Sequence, residues 1–230
     1  PGYTNNSPLT TERSLLQNLR ITEIMYDPLG GSDFEFIELQ NIGLEAINLE
    51  GLQFTEGIRF TFPNLTLQPG EFIILVSNRS SFETRYGDSL PVSGQYDGKL
   101  SNGGERLRLE LPNIKAGIHD FEYDNWYSAS NGSGFSLEFN DPLLPVVAWN
   151  LKLNWAPGLI INGTPGNSGT FSVRTPPNET ITLPNSLTID PFVSYGSVTP
   201  ASVVFQWELL DGPASVFFTT PEEPASEIRF

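Results

Sequence analysis

The sequence predicts an all-β chain of two tandem β-sandwiches, the second incomplete. Three observations predict it. Gly (21 residues), Pro (19) and abundant Asn, Ser and Thr supply turns, because Gly and Asn reach positive φ and Pro presets turn geometry. Apolar residues recur with a period of two in short runs, and helix-period stripes are hard to find. At 230 residues the chain can bury one sizeable core and a second, smaller one.

Residues 1–18 are polar, with Tyr3, Leu9, Leu15 and Leu16 as scattered anchors, and read as an extended N-terminal segment. The first sandwich is expected over residues 19–169. Its opening run, Ile21 to Tyr26, carries apolar residues on both parities, which calls for a β-bulge or a strand covered on both faces. Ile58, Phe60 and Phe62 share one face, as do Leu107, Leu109 and Leu111, and Phe135, Leu137 and Phe139. Phe72 to Val76 is apolar on both faces and reads as a central strand. Turns fall at Pro28–Gly31, Gln68–Gly70 and Ser101–Gly104. A Gly/Pro/Ser/Thr-rich stretch sets a linker at residues 170–177, and residues 178–230 form the second unit. There Val203, Phe205, Trp207 and Leu209 alternate with Val204, Gln206 and Glu208, around a Trp anchor suited to a small sandwich.

The formal charge is −15, from 27 acidic and 12 basic residues without a basic cluster, so the surface repels phosphate backbones and nucleic acid is not expected as a partner. The same field attracts cations or simply keeps the chain soluble. With no cysteine, neither a disulfide framework nor a thiolate metal site can form. The longest uninterrupted apolar run, Phe72 to Val76, is far too short to span a bilayer as a helix, and membrane insertion is not expected. Starting at Pro1 without a leader, the chain is expected to be a processed piece of something longer.

The order Ile21-Thr22-Glu23-Ile24-Met25-Tyr26, then Glu35 to Asn41, resembles the opening of the lamin-tail domain family, particularly its bacterial secreted members. The likeness runs on through Leu49-Glu50-Gly51-Leu52, Leu67 to Phe72, Leu100 to Leu107, Gly134 to Glu138, Asn154-Trp155 and Gly163-Thr164-Pro165-Gly166. The resemblance implies an immunoglobulin-like β-sandwich without catalytic residues, set in a long exported protein. Further on, Ile181 to Pro184, Leu187 to Asp190, Phe205 to Glu208 and Asp211-Gly212-Pro213 resemble the first part of a PKD-type immunoglobulin-like domain. Pro191 to Tyr195 stand where some members of that family carry calcium-binding acidic residues, which weakens a calcium site there.

Candidate site residues are few. Asp27, Asp33 and Glu35 place three carboxylates around Gly30-Gly31. Calcium favours six to eight oxygens, including the carbonyls such a turn presents, so these are the candidate metal ligands; an ordinary polar turn is the alternative. No cofactor is required otherwise. Trp126 and Tyr127 could form an aromatic platform for a sugar or protein, or pack into the sandwich. His119, the only histidine, has no Ser in a nucleophile-elbow context and reads as structural. The remaining acidic residues are expected in solvated outward positions. Glycosylation candidates are Asn64, Asn78, Asn131 and Asn178, with Asn5 and Asn162 disfavoured by the Pro that follows the Ser or Thr.

The expected function is a non-catalytic structural or adhesive module of a secreted or cell-surface multi-domain protein or polymer. Its partners would be other domains, or copies of the same or a neighbouring surface protein; the incomplete sandwich is either completed by strand addition from a neighbour or simply stops where a longer polypeptide was cut. The alternative is an accessory glycan- or protein-binding module of a larger exported enzyme.

Overall fold

The computed structural model describes residues 8–112, 116–167, 172–174, 186–189, 192–194, 216–221 and 226–229, and divides the chain into two units, Pro1–Asn167 and Ser168–Phe230. The described part of the first unit opens on a helix, α1 (Pro8–Asn18), not on the extended segment expected for residues 1–18. A helix this short is marginal alone. It holds because Leu15 is fully buried in the sandwich core and Leu16 packs against that core. Two adjacent leucines make no helical stripe, so the pattern in the sequence gave no sign of it.

The strands that follow are β1 (Leu19–Met25), β2 (Phe36–Asn41), β3 (Ile47–Asn48), β4 (Gln53–Glu56), β5 (Phe60–Thr61), β6 (Thr66–Leu67) and β7 (Phe72–Val76). A second helix, α2 (Arg79–Tyr86), leads to β8 (Val92–Gln95), β9 (Glu105–Leu111), β10 (Ala116–Tyr123), β11 (Phe135–Phe139) and β12 (Trp155–Ile161). One sheet has the order β12-β11-β1-β2-β7-β8 and the other β10-β9-β4-β5. Neighbours are antiparallel except β7 and β8, which α2 connects in parallel. A single apolar cluster is built from both sheets, with Ile21, Ile24, Ile37, Leu39, Ile73, Leu75, Leu137 and Phe139 from the larger one and Phe54, Leu107, Leu109, Phe121 and Tyr123 from the smaller. Each such side chain contributes about 1.5–3 kcal/mol by leaving water. The first unit is an immunoglobulin-like β-sandwich.

Both explanations for the double-parity pattern of β1 hold. Its register against β2 shifts between Ile21 and Glu23, so Ile21 and Ile24 both reach the sandwich core across the bulge. Met25 then points the other way, into a second apolar cluster with Phe36, Ile74, Val76 and Phe82 on the outer face of the larger sheet. β7 divides likewise, Ile73 and Leu75 inward, Ile74 and Val76 outward. Helix α2 covers that outer cluster. Asn78 caps its start, its Oδ1 accepting the Ser81 N–H at 3.0 Å, and Gly87 ends it at φ 85°. Its apolar contribution is the i,i+4 pair Phe82 and Tyr86, with ring centroids 4.4 Å apart.

Trp149, in a 3-10 turn over Val146–Asn150, stacks on Phe139 with centroids 3.5 Å apart and donates its indole N–H to the Ile21 carbonyl at 2.9 Å. Trp155 donates to the Trp149 carbonyl at 2.9 Å and lies edge-on to Phe139. These aromatics join β1, β11 and the segment before β12.

In the second unit, β13 (Ser172–Arg174) pairs with β15 (Phe192–Ser194), while β14 (Leu187–Ile189) and β16 (Phe217–Phe218) flank β17 (Ser226–Arg229). All these pairs are antiparallel. β13 lies inside the stretch read as a linker, so those three residues are strand rather than spacer. The expected strand around Phe205 and Trp207 lies outside the described residues.

Candidate functional site

The three carboxylates of the candidate calcium loop do not converge. Asp33 is exposed in a 3-10 turn over Ser32–Phe34. Asp27 accepts the Asn102 side-chain N–H at 2.6 Å. Glu35 turns inward, where its Oε2 accepts the Tyr96 hydroxyl at 3.1 Å and the Leu100 N–H at 2.9 Å. Burial pushes the Glu35 carboxyl up to about 7, partly offset by these two donors and by Lys99. A cleft of about 280 Å³ lies beside Asp27 and Glu35, and Lys99 lines it with them. Among the described residues no three His, Cys, Asp or Glu side chains are placed to hold a metal. Asp27 and Glu35 serve instead as loop clamps, while the 3-10 turn over Ser32–Phe34 leaves Asp33 in solvent and turns the chain so that Glu35 enters the interior.

Trp126 and Tyr127 are half-buried against the core rather than displayed. Trp126 lies 6.5 Å from Trp155 between ring centroids. The Tyr127 hydroxyl donates to the Trp155 carbonyl at 2.8 Å, with Lys152 Nζ 5.1 Å from its ring. His119 is buried, edge-on to Trp149 at 5.2 Å, with Nε2 3.0 Å from the Leu19 carbonyl. A carbonyl can only accept, so Nε2 carries the proton. Nδ1 has no partner. Burial lowers the imidazole to about 4, which keeps it neutral. Arg20, also buried, donates to the carbonyls of Leu16, Leu19 and Pro142 and closes the end of α1. Asn64 and Asn131 are exposed, Asn78 is the α2 cap, and Asn178 lies outside the described residues.

The group that sequence reasoning misplaced is a row of glutamates. Glu23 on β1 stands in register with Glu138 on β11 and with Glu38 on β2. All three point away from the sandwich core, where solvent was expected, yet their exposures are 2 %, 7 % and 1 %. The segment 163–167 covers them. Thr164 donates its N–H to Glu23 Oε1 at 2.9 Å and Gly166 to Glu38 Oε2 at 2.7 Å. Thr22 donates its hydroxyl to Glu38 Oε1 at 2.5 Å, and Ser136 to Glu138 Oε1 at 3.4 Å. Gly163 sits so close that a Cβ there would fall on Glu23 Oε1, and a Cβ at Gly158 would meet Glu138 and Ser136.

Burial raises all three carboxyls, Glu23 to about 7, Glu138 to about 8 and Glu38 well above its ordinary range; repulsion from Glu23 adds to the rise at Glu38 and Glu138. Chemically the row can hold protons and accept N–H groups. It is sealed from any substrate. Only a covering segment some 140 residues downstream could have revealed it, and the motif Gly163-Thr164-Pro165-Gly166 is that segment's signature in the sequence.

The fold and these residues define a β-sandwich module whose buried polar groups are spent on holding the fold together. Residues 13–124 match the family model of the Lamin Tail Domain. The matched span runs from α1 through β10; β11, β12 and the covering segment lie beyond it. No curated protein and no solved structure matches the chain. A lamin tail domain is an immunoglobulin-like module, and the arrangement is consistent with a non-catalytic structural or binding role.

Proposed function

We propose that this chain is a non-catalytic structural and adhesive module of a multi-domain protein that works outside the cell or on its surface. One observation carries the reading. Of the ionisable groups weighed for chemistry or ligation, His119 and Glu35 are closed into bonds with backbone and tyrosine groups of the fold itself, Asp27 holds the Asn102 amide, and Asp33 faces solvent. Exposed apolar side chains between residues 143 and 161 support the contact role: Leu143, Val147, Leu151, Leu153, Leu159, Ile160 and Ile161. Residues 142–163 contain one charged side chain, Lys152, in a chain of net charge −15, so a neighbouring domain meets little repulsion there. Among the described residues of the second unit, the β14-β17-β16 sheet has short strands at both edges, which suits completion by an added strand.

Labelling intact source cells with an antibody to this chain, followed by native mass of the released polypeptide, tests the reading. Surface labelling and a mass well above one copy are expected. Labelling only after permeabilisation, or a free monomer, overturns it.

A further inference from the structure

Three carboxyls stand side by side on neighbouring strands, where cross-strand side chains are about 4.5–5.5 Å apart at Cβ. We infer that Glu138, Glu23 and Glu38, with the segment 163–167, form a proton-operated latch that holds the end of the first unit while the carboxyls keep their protons and releases it when they lose them.

The geometry is specific. The latch is two backbone N–H bonds, from Thr164 to Glu23 and from Gly166 to Glu38, with the Thr164 hydroxyl also within reach of Glu23 and Glu138. A carboxyl accepts such bonds whether neutral or charged, so the bonds themselves do not resist loss of the first proton; burial of the resulting anion does. Three adjacent anions in a dry site repel strongly, and only water entering beneath the segment relieves them.

Among the described residues no Lys, Arg or His side chain bonds to the row. From β1, β2 and β11 the ionisable groups facing the row are the three glutamates themselves. The covering segment (Gly-Thr-Pro-Gly-Asn), β12 and β7 contain no ionisable side chain. From α2 come Tyr86, whose hydroxyl donates to the Asn162 carbonyl at 2.7 Å, and Arg85, which donates Nη2 to the Leu29 carbonyl at 2.6 Å, lies over the Phe34 ring and acts on the Tyr86 hydroxyl, with its Nη1 buried and unpartnered. Burial, chiefly, raises the Tyr86 phenol to about 12, so it stays neutral through the range in question. Asn167 is the last residue of the first unit, so release frees the end of that unit.

Amide hydrogen exchange of Thr164 and Gly166, corrected for intrinsic rates, tests this between about pH 6 and pH 9. Protection should fall about tenfold or more over that range, the equivalent of at least one unit of pKa difference. Amides of Leu107 and Leu109 in the other sheet serve as the folding control and should keep theirs. In the Glu138→Gln and Glu23→Gln variants, which retain an acceptor oxygen without a titrating proton, protection at Thr164 and Gly166 should change less with pH. Constant protection in the native protein, or an equal fall in the glutamine variants, overturns the latch. Loss of the pH dependence in millimolar calcium also overturns it, by assigning the oxygens to a cation.

Discussion

The Thr164 N–H meets Glu23 Oε1 at 2.9 Å, a bond between residues 141 positions apart that fastens the last loop of the sandwich to its first strand. Gly163 makes the approach feasible. Its φ of 78° is a region that residues with a Cβ rarely adopt, and its missing Cβ leaves room for the carboxyl. Gly163→Ala should therefore cost about 2–4 kcal/mol through backbone strain and displacement of Glu23. Urea denaturation of the two proteins measures it. A change below about 0.5 kcal/mol would mean the segment adapts freely.

Stability should fall as pH rises from the acid side. Glu23, Glu35, Glu38 and Glu138 hold protons more tightly when folded than unfolded, so their contribution is complete below the ordinary carboxyl value near 4.5. It is lost as pH climbs through about 7 for Glu23 and Glu35 and about 8 for Glu138. Growing net negative charge pushes the same way. A higher midpoint of thermal unfolding at about pH 5 than at about pH 8 is expected, and the reverse order would contradict the burial of these groups.

His119 acts with the opposite sign. Its folded value is depressed from 6.5 to about 4, so it contributes stability above 6.5 that is lost as pH falls through 4. At 1.36 kcal/mol per unit this amounts to about 3 kcal/mol. His119→Phe should unfold with a shallower loss between these two pH values than the native protein does. Identical slopes would show that the imidazole is solvated.

The strand alternation around Leu107, Leu109, Leu137 and Phe139, the double coverage of β1 and the structural role of His119 were legible in the sequence. Period-two patterning reports which side of a strand faces the core. It does not report what covers the other side, so Glu23, Glu38 and Glu138 read as solvated while a distant segment buries them. Helix α2 was missed for a related reason: its sequence, RSSFETRY, offers Phe82 and Tyr86 as apolar side chains, and Asn78 was read as a glycosylation acceptor rather than a cap.

That cap can be tested directly. Asn78→Ala removes the acceptor for the Ser81 N–H and should cost about 1 kcal/mol, with Asn78→Ser largely restoring it. Both variants lack the acceptor nitrogen, so any glycan effect is the same in each, and the difference between them in urea midpoint reports the cap alone.

Trp126 separates packing from recognition. Its ring lies against Trp155, and Tyr127 beside it is tied by its hydroxyl to the Trp155 carbonyl. Removal therefore opens a gap at the edge of the aromatic cluster rather than erasing an exposed platform. Trp126→Ala should destabilise the fold by about 2–3 kcal/mol, less than the 3–5 typical of a fully buried Trp because the ring is half-exposed. Trp126→Phe, which keeps most of the contact, should recover the larger part. If both variants kept native stability yet lost binding on a glycan array, the ring would belong to a ligand and not to the sandwich.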